Sequence, residues 1–353
     1  MQYIKLGPLK IPYEIKNDGQ QKKFHVCGIK IPFSRTETSD GEKIYHIFFL
    51  KLRLPFMDKL FVTRRQSNFN NRKNWDEEQI KKVAEEIFEE KLDYVPDLDN
   101  PRSMNEKIFW MKLNYHDPMV TKCCDKYAVK EYVEEKLGKG FVVPTINAWE
   151  RGEDIDFDSL PDKFVLKVNW SSGYNIIVRD KSKINRQEII DKVNDWMQPH
   201  QNSYYQTFNW GYKDMKPIVY AEEYMEQIDG QLYDYKFFCC DGKVKFWFIA
   251  TDRYSNGGQL THDFFDMDFN KLEFDYGGRA HSTQKLEKPR HYEEMIRYAE
   301  ILSKPFPFVR VDFYELDDVI YVGEMTFYPG GGILPFTPRE WDYKLGEHIN
   351  IPK

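Results

Sequence analysis

Apolar residues recur at two spacings along this chain, and the changes between them divide it. Over residues 1–73 they alternate with polar ones in short runs, with turn signals at Asn17-Asp18-Gly19 and Ser39-Asp40-Gly41, which predicts a small module of strands. Within it, Phe48, Phe49, Leu50, Leu52, Leu54 and Phe56 are interleaved with Lys51, Arg53 and Lys59, a pattern that suits a half-buried strand better than a helix lying on a membrane. The period then becomes helical. Ile80, Val83, Ala84, Ile87 and Phe88 stand at i, i+3, i+4, i+7 and i+8, and Asn74 with Glu77 predicts the cap of that helix. Ser103-Met-Asn-Glu106 predicts a capping box before a short aromatic helix, and Thr121 opens a longer one through Leu137, closed by Gly138.

From about residue 162 the period of two returns. Strands are predicted over 164–168, 174–178, 218–224, 232–240, 243–250, 308–314 and 319–325, with helices over 187–197 and 292–303. Asp241-Gly242 between two of the strands signals a two-residue hairpin. Hairpins mixed with single helices predict α+β lobes with antiparallel sheets rather than a regular βαβ series. The expected domains are an N-terminal β-rich module (1–73), a helical linking region (74–160), a small lobe (161–225) and a large lobe (226–353).

Composition narrows the partners. With 353 residues the chain can bury a substantial core without disulfides or structural metal. Its 51 basic and 57 acidic residues are dispersed, giving a net charge of -6 and no basic block, so nucleic acid is not an expected partner. Cys27 and the adjacent pairs Cys123-Cys124 and Cys239-Cys240 lack the C-x-x-C spacing and read as buried thiols of a reducing cytoplasm. No apolar h-region opens the sequence and no run of about 18 apolar residues occurs, so neither a signal peptide nor a membrane span is expected, which leaves room for peripheral membrane contact. An aromatic content of 16% suits a deep core or a sugar-facing cleft, and composition does not separate the two.

Three segments carry candidate chemistry. If Glu315 pairs with Val319, Arg310 falls opposite Glu324, and Asp312 projects from the same face. Asp312, Glu324 and the hydroxyl of Thr326 are hard oxygen ligands suited to Mg²⁺, while Arg310 would stabilise developing charge; the same pattern also suits an ordinary cross-strand pair on a surface hairpin. Lys167 lies inside an apolar strand and is followed by Ser171-Ser172-Gly173, a turn able to aim N–H groups and hydroxyls at phosphates; the alternative is a lysine snorkelling from an edge strand. Finally, an apolar strand ends at Glu222-Glu223-Tyr224-Met225, and Asp234 and Lys236 share a face of the next strand, an acid and a base suited to ribose and phosphate or to a salt bridge.

The order of these segments resembles the ATP-grasp superfamily, and more closely the TupA-like ATP-grasp family associated with teichuronopeptide and capsule synthesis. The resemblance runs from about Ser103 to the C-terminus, through Asn105-Glu-Lys-Ile-Phe-Trp110, Asp125-Lys-Tyr-Ala-Val-Lys-Glu-Tyr-Val133, Asp162-Lys-Phe-Val-Leu-Lys167, Ala221-Glu-Glu-Tyr224, Asp234-Tyr-Lys-Phe-Phe238 and Phe306-Pro-Phe-Val-Arg-Val-Asp-Phe-Tyr314. It implies an ATP-grasp fold in which two α+β lobes sandwich ATP. Lys126 and Lys167 would hold the phosphates, Ser171, Ser172 and Gly173 the mobile loop, Glu222, Glu223, Tyr224 and Met225 the adenine, and Asp234 the ribose. Asp312, Glu324 and Thr326 would be the magnesium ligands, Thr326 standing where the wider superfamily has Asn; Arg310 and Lys236 would be catalytic.

The implied reaction joins a carboxylate, such as a uronic acid of a surface polysaccharide, to an amine through an acyl phosphate. Arg253, His262 and Gly330-Gly-Gly332 are candidates for holding the acid. Competing readings are a glycosyltransferase using Asp266-Met-Asp268, a non-catalytic carbohydrate-binding protein, and a kinase on the same fold.

Overall fold

The computed structural model describes residues 65–170, 173–225, 233–251, 260–316 and 318–352, with strand segments between residues 2 and 52. These fall into two compact units, Met1–Asn70 and Asn71–Lys353. In the first, Gln2–Leu6, Leu9–Asp18, Gln21–Val26 and Ile29–Lys30 form an antiparallel sheet in chain order. Phe33–Glu37, Lys43–Ile47 and Leu50–Leu52 form another. Cys27 and the rest of the 47–61 run lie outside the described residues.

The second unit opens with the Glu77–Leu92 helix. Its cap is Asp76 and not Asn74: Asp76 accepts from the Gln79 N–H at 2.9 Å and Gln79 returns the bond, while Trp75 stacks on Phe208. The reciprocal box forms directly ahead of the first amphipathic turn, two residues later than expected. Met104–Asn114 starts at the expected Ser103/Glu106 box.

The single helix expected over 121–137 is two helices, Pro118–Cys124 and Val129–Leu137. Asp117 caps the first, ahead of a proline at its first turn. The break comes from Asp125, whose carboxylate accepts from the N–H groups of Tyr127 and Ala128 and from the Asn169 amide. A side chain offering the backbone other partners ends the helix there.

Two antiparallel sheets follow. The smaller has the order Asn175–Val178, Phe164–Val168, Val219–Glu223, Thr145–Trp149. Thr145–Trp149 falls inside the stretch expected to be a helical linker; as a five-residue edge strand lacking buried residues, it has no apolar alternation to announce it. Phe164, Leu166 and Val168 are buried with Ile189, Val193 and Trp196 of the Arg186–Trp196 helix in the main core, which leaves Val165 and Lys167 on the other face.

The larger sheet has the order Thr261–Phe265, Lys243–Thr251, Asp234–Cys240, Phe308–Leu316, Val319–Thr326. Asp241 and Gly242, at φ 50° and 70°, make the predicted tight hairpin. The Tyr292–Ser303 helix covers one face: Phe237 and Trp247 meet Tyr292 at centroid distances of 6.1 and 5.0 Å, and Cys239 lies on Ala299. By strand alternation Lys236 and Asp312 point the other way. All four described cysteines are buried and free. Among the described residues no helix is long and apolar enough to cross a membrane.

Candidate functional site

Register brings the charged residues of the large sheet into line. Lys236 pairs directly with Asp312, and Asp312 with Glu324. The sequence expectation set Arg310 opposite Glu324, but Arg310 pairs with Thr326. Two features make the difference. The hairpin closes at Leu316 and Val319 rather than at Glu315 and Val319, and an irregularity sits between Asp312/Phe313 and their partners, where Gly323 is the extra residue. In an uninterrupted ladder Glu324 would face Val311 and the helix side; the bulge returns it to the side of Asp312. Gly323 fits there because a Cβ would stand 3.2 Å from the Tyr314 ring.

Arg310 binds the resulting acid pair tightly. Its Nε and Nη2 donate to the two oxygens of Asp312 at 2.6 and 2.7 Å, and Nη2 also reaches Glu324 Oε1 (3.2 Å) and Thr326 Oγ1 (3.0 Å). The Thr326 hydroxyl in turn donates a hydrogen bond to Glu324 Oε1 at 3.0 Å. Lys236 adds a direct bond to Asp312 and lies 3.8 Å from Asp234. Burial would raise the Glu324 carboxyl, but Lys126, Lys236 and Arg310 outweigh it and hold it well below the usual range. For Asp312 burial wins over Arg310 and Lys236, and its carboxyl is raised.

The smaller sheet, the Val129–Leu137 helix and the turn before it contribute lysines. Lys167 and Lys130 both bind Glu222, Lys130 at 2.6 Å, and the carboxylate is buried between them. Burial again opposes ionisation of Glu222, and the two lysines overcome it. Lys126 lies in the helix break and reaches across to Glu324 Oε2 at 3.8 Å. Its position is fixed by the buried Asn169 at the end of the lysine strand. That residue accepts the Lys126 N–H with its carbonyl and spends its amide on Asp125 and the Lys216 carbonyl.

These groups face one cavity of about 330 Å³, lined by Lys126, Lys130, Lys167 and Lys236 together with Glu222, Asp234, Asp312 and Glu324. Four cations against four acids leave it balanced. Gly173, at φ 81°, and Tyr174 form part of the wall; Ser171, Ser172 and Arg253 lie outside the described residues. Glu223, Tyr224, Met225, Arg310 and Thr326 are not lining residues. Lys130 and Asn169 were not singled out from sequence. Lys130 had a signal, since in the single helix expected over 121–137 it would stand one turn from Lys126.

Among the described residues no group of three or more His, Cys, Asp or Glu is arranged to hold a metal. The Asp312, Glu324 and Thr326 oxygens nevertheless fit magnesium, which needs one or two carboxylates and completes its shell with water and phosphate oxygens. The competing Asp266-Met-Asp268 motif is a turn: Asp266 accepts from the N–H groups of Asp268 and Asn270 and from the Asn270 amide.

The sequence profile of the TupA-like ATP-grasp family matches residues 106–350. Solved structures show distant likeness. D-alanine–D-alanine ligase from Bacillus anthracis is 19% identical over 59% of this chain and 59% of its own, with a TM-score of 0.36. L-amino acid ligase from Bacillus licheniformis is 17% identical over 73% and 57%, with a TM-score of 0.43. Phosphoribosylamine–glycine ligase from Thermotoga maritima is 11% identical over 66% and 57%, with a TM-score of 0.39. The alignments thus span a little under three fifths of these proteins' own length. No match is found among curated proteins.

Proposed function

This chain belongs to the TupA-like ATP-grasp family, and on that footing we propose that it is an ATP-dependent carboxylate–amine ligase acting in the cytoplasm through an acyl phosphate. One observation carries the reading: Lys167 of one sheet and the Asp312/Glu324 pair of the other line the same cavity. A triphosphate entering it would draw Lys167 and Lys130 from Glu222 and Lys126 from Glu324, exchanging internal ion pairs for bonds to phosphate oxygens. Asp312 and Glu324 would hold magnesium, assisted by Thr326, and the ion supplies neutralisation of charge on the phosphates. Arg310 keeps both acids in place and lends positive charge beside the acyl phosphate. Asp234 would take the ribose, and Lys236, between Asp234 and Asp312, the transferring group.

Glu222 has its carboxylate on two lysines, so its part in adenine recognition would fall to its backbone, with Glu223, Tyr224 and Met225 completing the rim. The loop containing Ser171, Ser172 and Gly173 would exclude water from the activated carboxyl. The acid is a uronic acid of a surface polysaccharide or its precursor, and the amine an amino acid or small amine. ADP release screened over uronic acids and amines, with mass detection of the amide, tests this. Amine-dependent ADP release with an amide is the expected result; a stable phosphorylated product formed without any amine would make the protein a kinase.

A further inference from the structure

The Asn71–Lys353 unit contains a second cavity of about 740 Å³, against about 330 Å³ for the charged one. Six aromatic side chains line it: Trp75, Trp110, Tyr204, Tyr205, Phe208 and Trp210. They are braced in advance of any ligand. The Arg72 guanidinium stands 5.5 Å from the Trp75 ring centre and 4.9 Å from that of Phe208, and it donates to the carbonyls of Tyr205 and Gln206. His116 stacks on Trp210 at 4.7 Å and 16°. Gly211, next to Trp210, packs so closely that a Cβ would come within 2.6 Å of Cys124 Sγ. Rings held this way lose little freedom when a ligand arrives.

Between the rings the wall is polar, with Asp99, Asn114, His116 and Lys213 presented to solvent. Both signs of charge are mixed, so no single-sign field selects the ligand, and a lipid would leave these groups without partners. A sugar has what this wall asks for: apolar C–H faces to lie on aromatic rings, and hydroxyls that both donate and accept around the edge.

We propose that this cavity is a saccharide-binding site, and, resting on the ligase reading, that it grips sugars of the acid substrate other than the reacting one. Two hydrogen bonds join this region to the segment that follows the strand carrying Glu324. Lys112, buried at the cavity, donates to the Gly331 carbonyl at 2.8 Å, and the Gly211 N–H donates to Tyr328 Oη at 3.3 Å. Both acceptors lie within five residues after Thr326. Binding energy gained on remote sugars could therefore be spent on orienting the reacting carboxyl.

The test is a tryptophan-fluorescence titration, without ATP, using hyaluronan, oligogalacturonate and dextran oligosaccharides of two to six sugars. At least one series should bind, with Trp110→Ala and Tyr205→Ala each weakening it about 10-fold and Trp110→Phe recovering most of the loss. Melting temperatures verify that each variant is folded, and Tyr205→Ala decides the matter if Trp110→Ala is not. Binding by none of the three series, or equal binding by wild type and both alanine variants, overturns the site. Because no nucleotide is present, that failure is separate from a failure of the ligase reading, which would appear as absence of ADP release with every acid.

Discussion

The charged cavity and the aromatic cavity are assembled by different means. The first takes its four acids and two of its four lysines from strands, where a shift of one residue would turn each group to the opposite face. The second takes its rings from Trp75 just ahead of a helix cap, from the Met104–Asn114 helix and from the short turns of residues 204–213. Charge recognition thus depends on register and on every ion having a partner, so loss of one of its facing acids Asp312 and Glu324 should act nearly all or none. Ring recognition is shared among several side chains and should decline by degrees.

The largest expected effect is on the charged side. Glu324→Gln should lower ADP release on the order of 1000-fold while leaving saccharide binding unchanged; retained turnover would remove Glu324 from the metal site. Asp312→Ala is a less clean probe, because it leaves Arg310 and Lys236 buried without their shared acid, a loss of about 3–5 kcal/mol that chemical denaturation should register.

A smaller, more selective change is expected from Lys130→Met. Glu222 would keep Lys167, so the cavity should form, but one of the proposed phosphate partners would be lost. Steady-state kinetics should give a KM for ATP raised about 10-fold with kcat little altered. A fall in kcat alone would place Lys130 in the chemistry and not in binding.

A pH-dependent effect concerns the link between the cavities. Burial pushes the Lys112 ammonium down to about 7. Between that value and its unfolded value of about 10.4 the unfolded chain binds the extra proton, so this group makes the protein more stable as pH rises, by up to about 1.4 kcal/mol per pH unit. Urea denaturation from pH 7 to 10 should show that slope in wild type and a flatter one in Lys112→Met. Parallel slopes would mean that Lys112 stays charged.

How much of this was legible beforehand follows from how local each signal is. The strand 164–168 and the helix 292–303 were readable because the next residue, or the residue one turn away, decides a period. The sharing of one face by Arg310 and Asp312 was readable on the same ground. Thr145–Trp149 and Thr261–Phe265 were not, since each is short and takes its place from a neighbouring strand. The break after Cys124 was equally hidden: Asp125 needed Asn169, 44 positions away, to make it worthwhile.

By itself the sequence determined the strongly periodic strands and helices, which positions of those strands share a face, and, through ordered motifs, the family. Tertiary structure decided who meets whom: that Lys130 and Lys167 close on one glutamate, that a bulge at Gly323 turns Glu324 back toward Asp312, and that aromatic residues from distant segments enclose a second cavity. Periodicity is set by bonded neighbours and is written along the chain. Partnership across a sheet or between lobes is set by the packing of the whole core, which no stretch of sequence contains.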